Sequence, residues 1–83
     1  MTVVFVESAF RHGYDEDDFY EVLESRPWKL RCRRGIPDVY ELYGRNHVGD
    51  YLHVAYRKER EQYVVFHIRR MSAREKRSYT KHL

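Results

Sequence analysis

The sequence predicts one α+β domain over residues 1–83, with two N-terminal helices, a small antiparallel sheet of three or four strands and a basic C-terminal helix. Three observations predict this arrangement. Apolar residues recur at helical spacing before Pro27, they alternate with polar residues at strand spacing after it, and a helix-capping pattern begins at Ser72. With 83 residues, 42% of them hydrophobic, the chain has enough material for a single core.

The N-terminal part predicts a short strand followed by helical segments. Val3 to Val6 is β-branched and aromatic, as strands are. Glu7 to His12 predicts one or two helical turns that end at Gly13, because glycine tolerates the left-handed conformation after a helix. Asp15 caps the start of a longer helix, which Pro27 ends. Three apolar side chains of this helix share its core face: Phe19, Val22 and Leu23.

The middle of the chain predicts strands joined by turns. The strands are an edge strand at Trp28 to Arg33, a second at Val39 to Tyr43, and a hairpin of Tyr51 to Arg57 and Tyr63 to Arg69. The connections are a turn at Gly35 to Asp38, a loop at Gly44 to Gly49 and the hairpin turn at Lys58 to Glu61.

Alternation in the hairpin predicts which side chains face the core. These are the even positions Leu52, Val54, Tyr56, Val64, Phe66 and Ile68. Matching these faces across an antiparallel pair requires a turn of three residues rather than two. His67 then lies opposite either His53 or Tyr51, and both registers place His53, His67 and Arg69 on one outward face.

The last segment predicts a basic helix. Ser72-Ala-Arg-Glu75 is a capping box, and the helix runs to about His82. Its polar surface has no strong apolar stripe, so we expect the helix to dock weakly or to be held by a partner. Its cations are Arg74, Lys76, Arg77 and Lys81.

Charge is distributed unevenly along the chain. Residues 1–25 carry seven acids and one arginine, and residues 26–83 carry 15 Lys and Arg against six acids. A basic segment interleaved with aromatic residues is typical of proteins that bind phosphate backbones, although a solvated basic face gives the same pattern. The sequence has no membrane-length apolar run and no leader pattern, and Cys32 is its only cysteine, so we expect a cytoplasmic protein that does not bind membranes.

Three motifs resemble the BrnT-type toxins, part of the RelE/ParE-like group from bacterial type II toxin–antitoxin systems. They are Arg11-His12-Gly13-Tyr14, the strand Tyr63 to Arg69, and Ser72 to Tyr79. The resemblance implies a RelE-like fold and a ribonuclease that cuts mRNA without a metal or other cofactor. It also implies RNA and a separately encoded antitoxin as partners, with the ribonuclease either acting at the ribosome or free-standing. The family's N-terminal Trp-Asp motif is missing, and Phe5-Val-Glu-Ser8 stands in its place.

Metal-free RNA cleavage needs a base, an acid and a cation beside the phosphate. His67 and His53 are the candidates for base and acid because histidine titrates near neutral pH, and Arg69 is the candidate for the phosphate. Further RNA contacts are expected from Arg57, Arg74, Arg77, Lys76, Tyr79 and Tyr63. His12 is expected to serve a helix end, and His47 and His82 are expected to have no role. The alternative is a non-catalytic module that binds RNA or inhibits a protein.

Overall fold

The computed structural model describes residues 2–31 and 36–82, which form a five-stranded mixed sheet with a helix on each face. The elements are β1 (Thr2–Phe5), a 3₁₀ turn (Glu7–Phe10), α1 (Glu16–Glu24), β2 (Trp28–Arg31), β3 (Val39–Arg45), β4 (Tyr51–Glu59), β5 (Gln62–Arg70) and α2 (Ala73–Thr80). The strand order is β1-β5-β4-β3-β2. Neither helix is long and apolar enough to cross a membrane, and the described residues contain no other α-helix.

The predicted architecture is wrong in its strand count, its strand directions and its helix count. β1 joins the sheet beside β5 in parallel, from Thr2 opposite Gln62 to Phe5 opposite Val65, so the sheet has five strands and is mixed. The segment after β1 makes one 3₁₀ turn, which leaves a single N-terminal α-helix. The hydroxyl of Ser8 donates to the carbonyl of Phe66 at 2.9 Å and holds this turn along β5. Local sequence patterns carry no information about such a distant parallel partner.

Helix α1 begins as the sequence predicts. The side chain of Asp15 accepts a hydrogen bond from the backbone of Asp18, and the Asp18 side chain accepts one from the backbone of Asp15. Phe19 and Val22 are buried against the sheet, but Leu23 is 44% exposed, so the prediction that Leu23 joins the core is wrong. Leu23 lies at the margin of the helix contact, beside Pro27.

The first face of the sheet, under α1, carries the larger core. Its buried members are Ala9, Phe19, Val22, Leu42, Leu52, Val54, Tyr56, Val65 and Ile68. The edge position predicted for the strand at Trp28 is confirmed, because β2 ends the strand order. The predicted end of that strand at Arg33 and the start of the turn at Gly35 lie outside the described residues.

The hairpin differs from its predicted register. Only Arg60 and Glu61 connect β4 to β5, and a β-bulge leaves Phe66 without an opposite residue. With a two-residue turn alone, the core-facing residues of β4 would pair with residues of β5 that face the other side. The bulge at Phe66 inserts one residue into β5 and so brings Ile68 opposite Val54. Tyr63 and Val65 therefore pack with the first core. Val64 is buried as predicted, at 4% exposure, but outside that core, and the prediction that Phe66 faces the core is wrong.

Helix α2 covers part of the second face. The predicted capping box is confirmed, because Ser72 Oγ accepts from the backbone of Glu75 and Glu75 accepts from the backbone of Ser72. A smaller core beneath the helix contains Tyr43, Met71 and Tyr79, with Tyr79 only 2% exposed. The helix is thus anchored through one aromatic side chain rather than through an apolar stripe.

Candidate functional site

Three histidines line up on the second face of the sheet. Across β4 and β5, His53 lies opposite Arg69 and Ala55 lies opposite His67, which differs from both predicted registers but keeps His53, His67 and Arg69 on one face. The ring centroids of His53 and His67 are 5.5 Å apart. The ring of His12, from the turn before α1, lies 5.4 Å from that of His67 on its other side.

His53 is buried rather than outward, which corrects the prediction. It is 5% exposed, and its Nε2 lies 2.8 Å from Oε1 of Glu41 on β3. Since a carboxylate accepts, this contact places the imidazole proton on Nε2 and leaves Nδ1 buried, with no partner in the described chain. Burial lowers the pKa of His53, and the bond to Glu41 opposes that effect. His53 is therefore placed to hold its neighbours rather than to touch a substrate.

His67 is half-buried and borders the solvent. Burial lowers its pKa, and the nearby charges of His53, Arg69 and His12 lower it further, while Glu75 acts in the opposite direction. A lowered pKa keeps the imidazole neutral at pH 7, and a neutral imidazole can accept a proton. His67 is thus the most suitable general base on this face.

Arg69 is held by Glu75 of α2. Nη1 and Nη2 of Arg69 donate to the two carboxylate oxygens at 2.6 and 2.7 Å, in a bidentate pair. The arginine holds the pKa of Glu75 at about 2, well below its usual range. Glu75 therefore both pairs with Arg69 and caps α2, since it also accepts a hydrogen bond from the backbone of Ser72. A phosphate at Arg69 must share the guanidinium with this carboxylate.

A cleft of about 290 Å³ opens between α2 and strands β2 and β3, and we call it the α2 cleft. Its lining includes Trp28, Glu41, Tyr43, Arg74, Glu75 and Ser78. Burial and the two carboxylates raise the pKa of Tyr43 to about 12, so its hydroxyl stays protonated. The carboxylates that line the cleft are also the partners of His53 and Arg69, so the α2 cleft adjoins the histidine row.

The residues predicted to bind RNA do not form one surface. Arg74, Lys76 and Arg77 are exposed on α2, and only Arg74 borders the cleft. Tyr79 is buried, which leaves its ring without an open face for a base.

The other two residues predicted to contact RNA, Tyr63 and Arg57, lie elsewhere on the sheet. Tyr63 packs against Tyr56 at 5.2 Å in the first core, on the opposite face from Arg69. Arg57 pairs with Glu59 at 2.9 Å, farther along β4.

Sequence reasoning missed four members of this site. Glu41 and Tyr43 flank buried Leu42 on β3, so strand alternation could have predicted that both lie on the face opposite Leu42. Glu75 was assigned only as a helix cap, and nothing local indicates its pairing with Arg69. His12 belongs to the motif Arg11 to Tyr14, which could have indicated a functional role, but it was expected only to serve a helix end.

Comparison of the chain with protein-family models, curated proteins and solved structures gives no match. Any inference about function from the structure therefore starts from the geometry of the site and not from a relative. Among residues 2–31 and 36–82, no three His, Cys, Asp or Glu side chains are grouped as metal ligands would be.

Proposed function

We propose that this chain is a metal-independent endoribonuclease that cleaves mRNA and acts as the toxin of a type II toxin–antitoxin system. The observation that carries the proposal is the pairing of a half-buried His67, with its lowered pKa, and a fixed arginine, Arg69, on one face of the sheet. These are the base and the cation that cleavage through the 2′-hydroxyl requires.

In the proposed reaction, Nδ1 or Nε2 of His67 takes the proton of the 2′-hydroxyl as its oxygen attacks phosphorus. Arg69 lies two residues along the same strand, roughly 6.6 Å away, and stabilises the charge on the phosphoryl oxygens. His12 borders the other side of His67 and protonates the leaving 5′-oxygen. His53, fixed by Glu41, packs against His67 and sets the orientation of its ring.

The biological part of the proposal rests on the three motifs that resemble BrnT-type toxins. It places the protein in the cytoplasm, with mRNA as substrate, the ribosome as the setting of cleavage and an adjacent gene encoding the antitoxin. Induced expression is then expected to arrest bacterial growth, and co-expression of the adjacent gene is expected to restore it. Normal growth with confirmed expression of folded protein would contradict the toxin function.

Cleavage is tested by incubating purified protein with single-stranded RNA in EDTA and resolving the products on a gel. We expect cleavage in EDTA and a loss of roughly 10²-fold or more for His67→Gln. The matched control is His47→Gln, because His47 is an exposed histidine bonded to Glu24 of α1. Equal rates for His67→Gln and the parent, with both proteins folded, would remove His67 from the mechanism.

A non-catalytic binding module is the second candidate, and the Arg69–Glu75 pair favours it. A guanidinium that already has a bidentate carboxylate partner serves to attach α2 to the sheet. The missing Trp-Asp motif points the same way. RNA that is bound but left intact, together with growth arrest, would select this function over the nuclease.

A further inference from the structure

The α2 cleft takes no part in the proton transfers proposed above, and its walls combine an aromatic ring, a guanidinium and two carboxylates. One wall is the indole of Trp28, which stacks on His82 at 4.0 Å and lies 5.5 Å from the ring of Tyr43. Arg74 borders the opening from α2, and the carboxylates of Glu41 and Glu75 lie on the lining.

The size and composition of the cleft fit one flat heterocycle. Its volume of about 290 Å³ lies just below the roughly 300–1,000 Å³ of pockets for drug-sized ligands. Aromatic rings and guanidinium planes are the groups on which single-stranded nucleic acids place their bases. His82 stacks on the indole of Trp28 and Tyr43 lies beside it, so the ring is fixed before a ligand arrives and a base meets only the part of it that lines the cleft.

The carboxylates determine which base the cleft prefers. Glu75 is engaged by Arg69 and by its helix cap. Glu41 accepts from His53 through Oε1, and within the described chain no hydrogen bond reaches Oε2. The Glu41 side chain is 28% exposed and lines the cleft, so a ligand there can reach its carboxylate. An ionised carboxylate offers acceptors only, with about four lone-pair sites.

We infer that the α2 cleft binds a guanine base of single-stranded RNA, with N1–H and the exocyclic amino group donating to Oε2 of Glu41 and to the second lone pair of Oε1, beside its bond from His53. This inference rests on the proposed function for its substrate class. Guanine alone presents two adjacent donors on its pairing edge. Adenine and cytosine present one donor beside an acceptor, and uracil presents one donor between two carbonyl oxygens, which a carboxylate repels.

The position of the cleft links base recognition to cleavage. Glu41 is bonded to His53, which orients His67, and Glu75 is bonded to Arg69, so a base that contacts these two carboxylates lies close to the proposed cleavage site. A phosphate attached to that nucleotide is directed toward Arg69. The expected product pattern is cleavage next to guanine.

The test uses Trp28, the only tryptophan of the chain, as its reporter. The probes are guanosine, adenosine, cytidine and uridine 5′-monophosphates, titrated while indole fluorescence is recorded with excitation at the red edge of the band. We expect guanosine monophosphate to bind roughly 5- to 150-fold more tightly than the others, which is the range of discrimination that a good bidentate contact gives. Glu41→Gln is expected to abolish that preference.

A second variant keeps the test decisive if Glu41→Gln disturbs His53. Ser78 is exposed on α2 and lines the cleft, so Ser78→Tyr fills it and is expected to prevent nucleotide binding. Thr80→Tyr adds the same ring to the same helix outside the cleft lining and serves as the control.

The outcomes separate this inference from the proposed nuclease. Selective binding of guanosine monophosphate that is lost in Ser78→Tyr supports the guanine site, even if RNA remains intact and the nuclease is refuted. Cleavage of RNA without guanine preference, together with no fluorescence response to guanosine monophosphate, overturns the guanine site and leaves the nuclease standing. Equal binding of all four nucleotides also overturns it.

Discussion

The ion pair between Arg69 and Glu75 attaches α2 to the sheet alongside the buried ring of Tyr79, and a double-mutant cycle measures its strength. The variants are Arg69→Met, which keeps the aliphatic stem, and Glu75→Gln, which keeps the side chain that the capping box needs. The pair has two short charge-assisted hydrogen bonds, and its side chains are 30% and 23% exposed. Exposed pairs contribute about 0.2–1 kcal/mol, and breaking a fully buried pair costs about 3–5 kcal/mol.

We therefore expect a coupling free energy of about 1–2 kcal/mol between the two positions. For a domain of this length, 1 kcal/mol shifts Tm by roughly 4–8 °C, so each single variant is expected to lower Tm by about 5–15 °C. Urea unfolding followed by circular dichroism gives the free energies for the cycle. The control is the pair of Arg57 and Glu59, whose side chains are 42% and 47% exposed and whose coupling is expected to stay below about 0.5 kcal/mol.

The same pair predicts how stability depends on acid. Glu75 has a pKa of about 2 in the folded protein and an ordinary value of 4.5 when unfolded. Its contribution is therefore complete above pH 4.5 and is lost as the pH falls toward 2. Glu75→Gln should lack this component of the acid dependence. A coupling no larger than that of the control pair, or an unchanged acid profile in Glu75→Gln, would refute the view that this pair attaches α2.

Three further outcomes are expected. The acid limb of the pH–rate profile for RNA cleavage should lie below the ordinary histidine pKa of 6.5, because burial and neighbouring charges lower the pKa of His67 and the base must be neutral; an acid limb centred above 6.5 would contradict this. Gly44→Ala should lower the free energy of unfolding by about 1–3 kcal/mol, because a Cβ at this position would lie 2.6 Å from Ser25 Oγ. Thermal melting measures the loss, and an unchanged Tm would show that the contact relaxes. Leu52→Ala should cost about 2–5 kcal/mol in urea unfolding, because Leu52 is fully buried, and a smaller loss would indicate that the core closes over the space.

The sequence by itself determined the local elements. The cap at Asp15, the capping box at Ser72, a short first strand, the edge strand at Trp28 and the hairpin strands follow from signals a few residues long, in which side chain and backbone act on each other directly. Alternation also placed His53, His67 and Arg69 on one face, because side chains on a strand repeat every second residue whatever the strand pairs with.

The tertiary structure decided the pairings that join distant segments. The parallel contact of β1 with β5 joins residues about 60 positions apart, and no local pattern specifies it. The bulge at Phe66 changed which hairpin residues face each core, because one extra residue reverses the alternation that follows it.

The candidate site shows the same division. His67 and Arg69 were recognisable as residue types, but the bond of His53 to Glu41 depends on the pairing of β3 with β4, and the pairing of Arg69 with Glu75 depends on where α2 packs. Tyr79 fixes that position by filling a gap beside Tyr43 and Met71. The sequence determines which chemical group each side chain carries. The pKa, the partner and the solvent access of that group depend on its neighbours, and packing between elements in the folded chain supplies those neighbours.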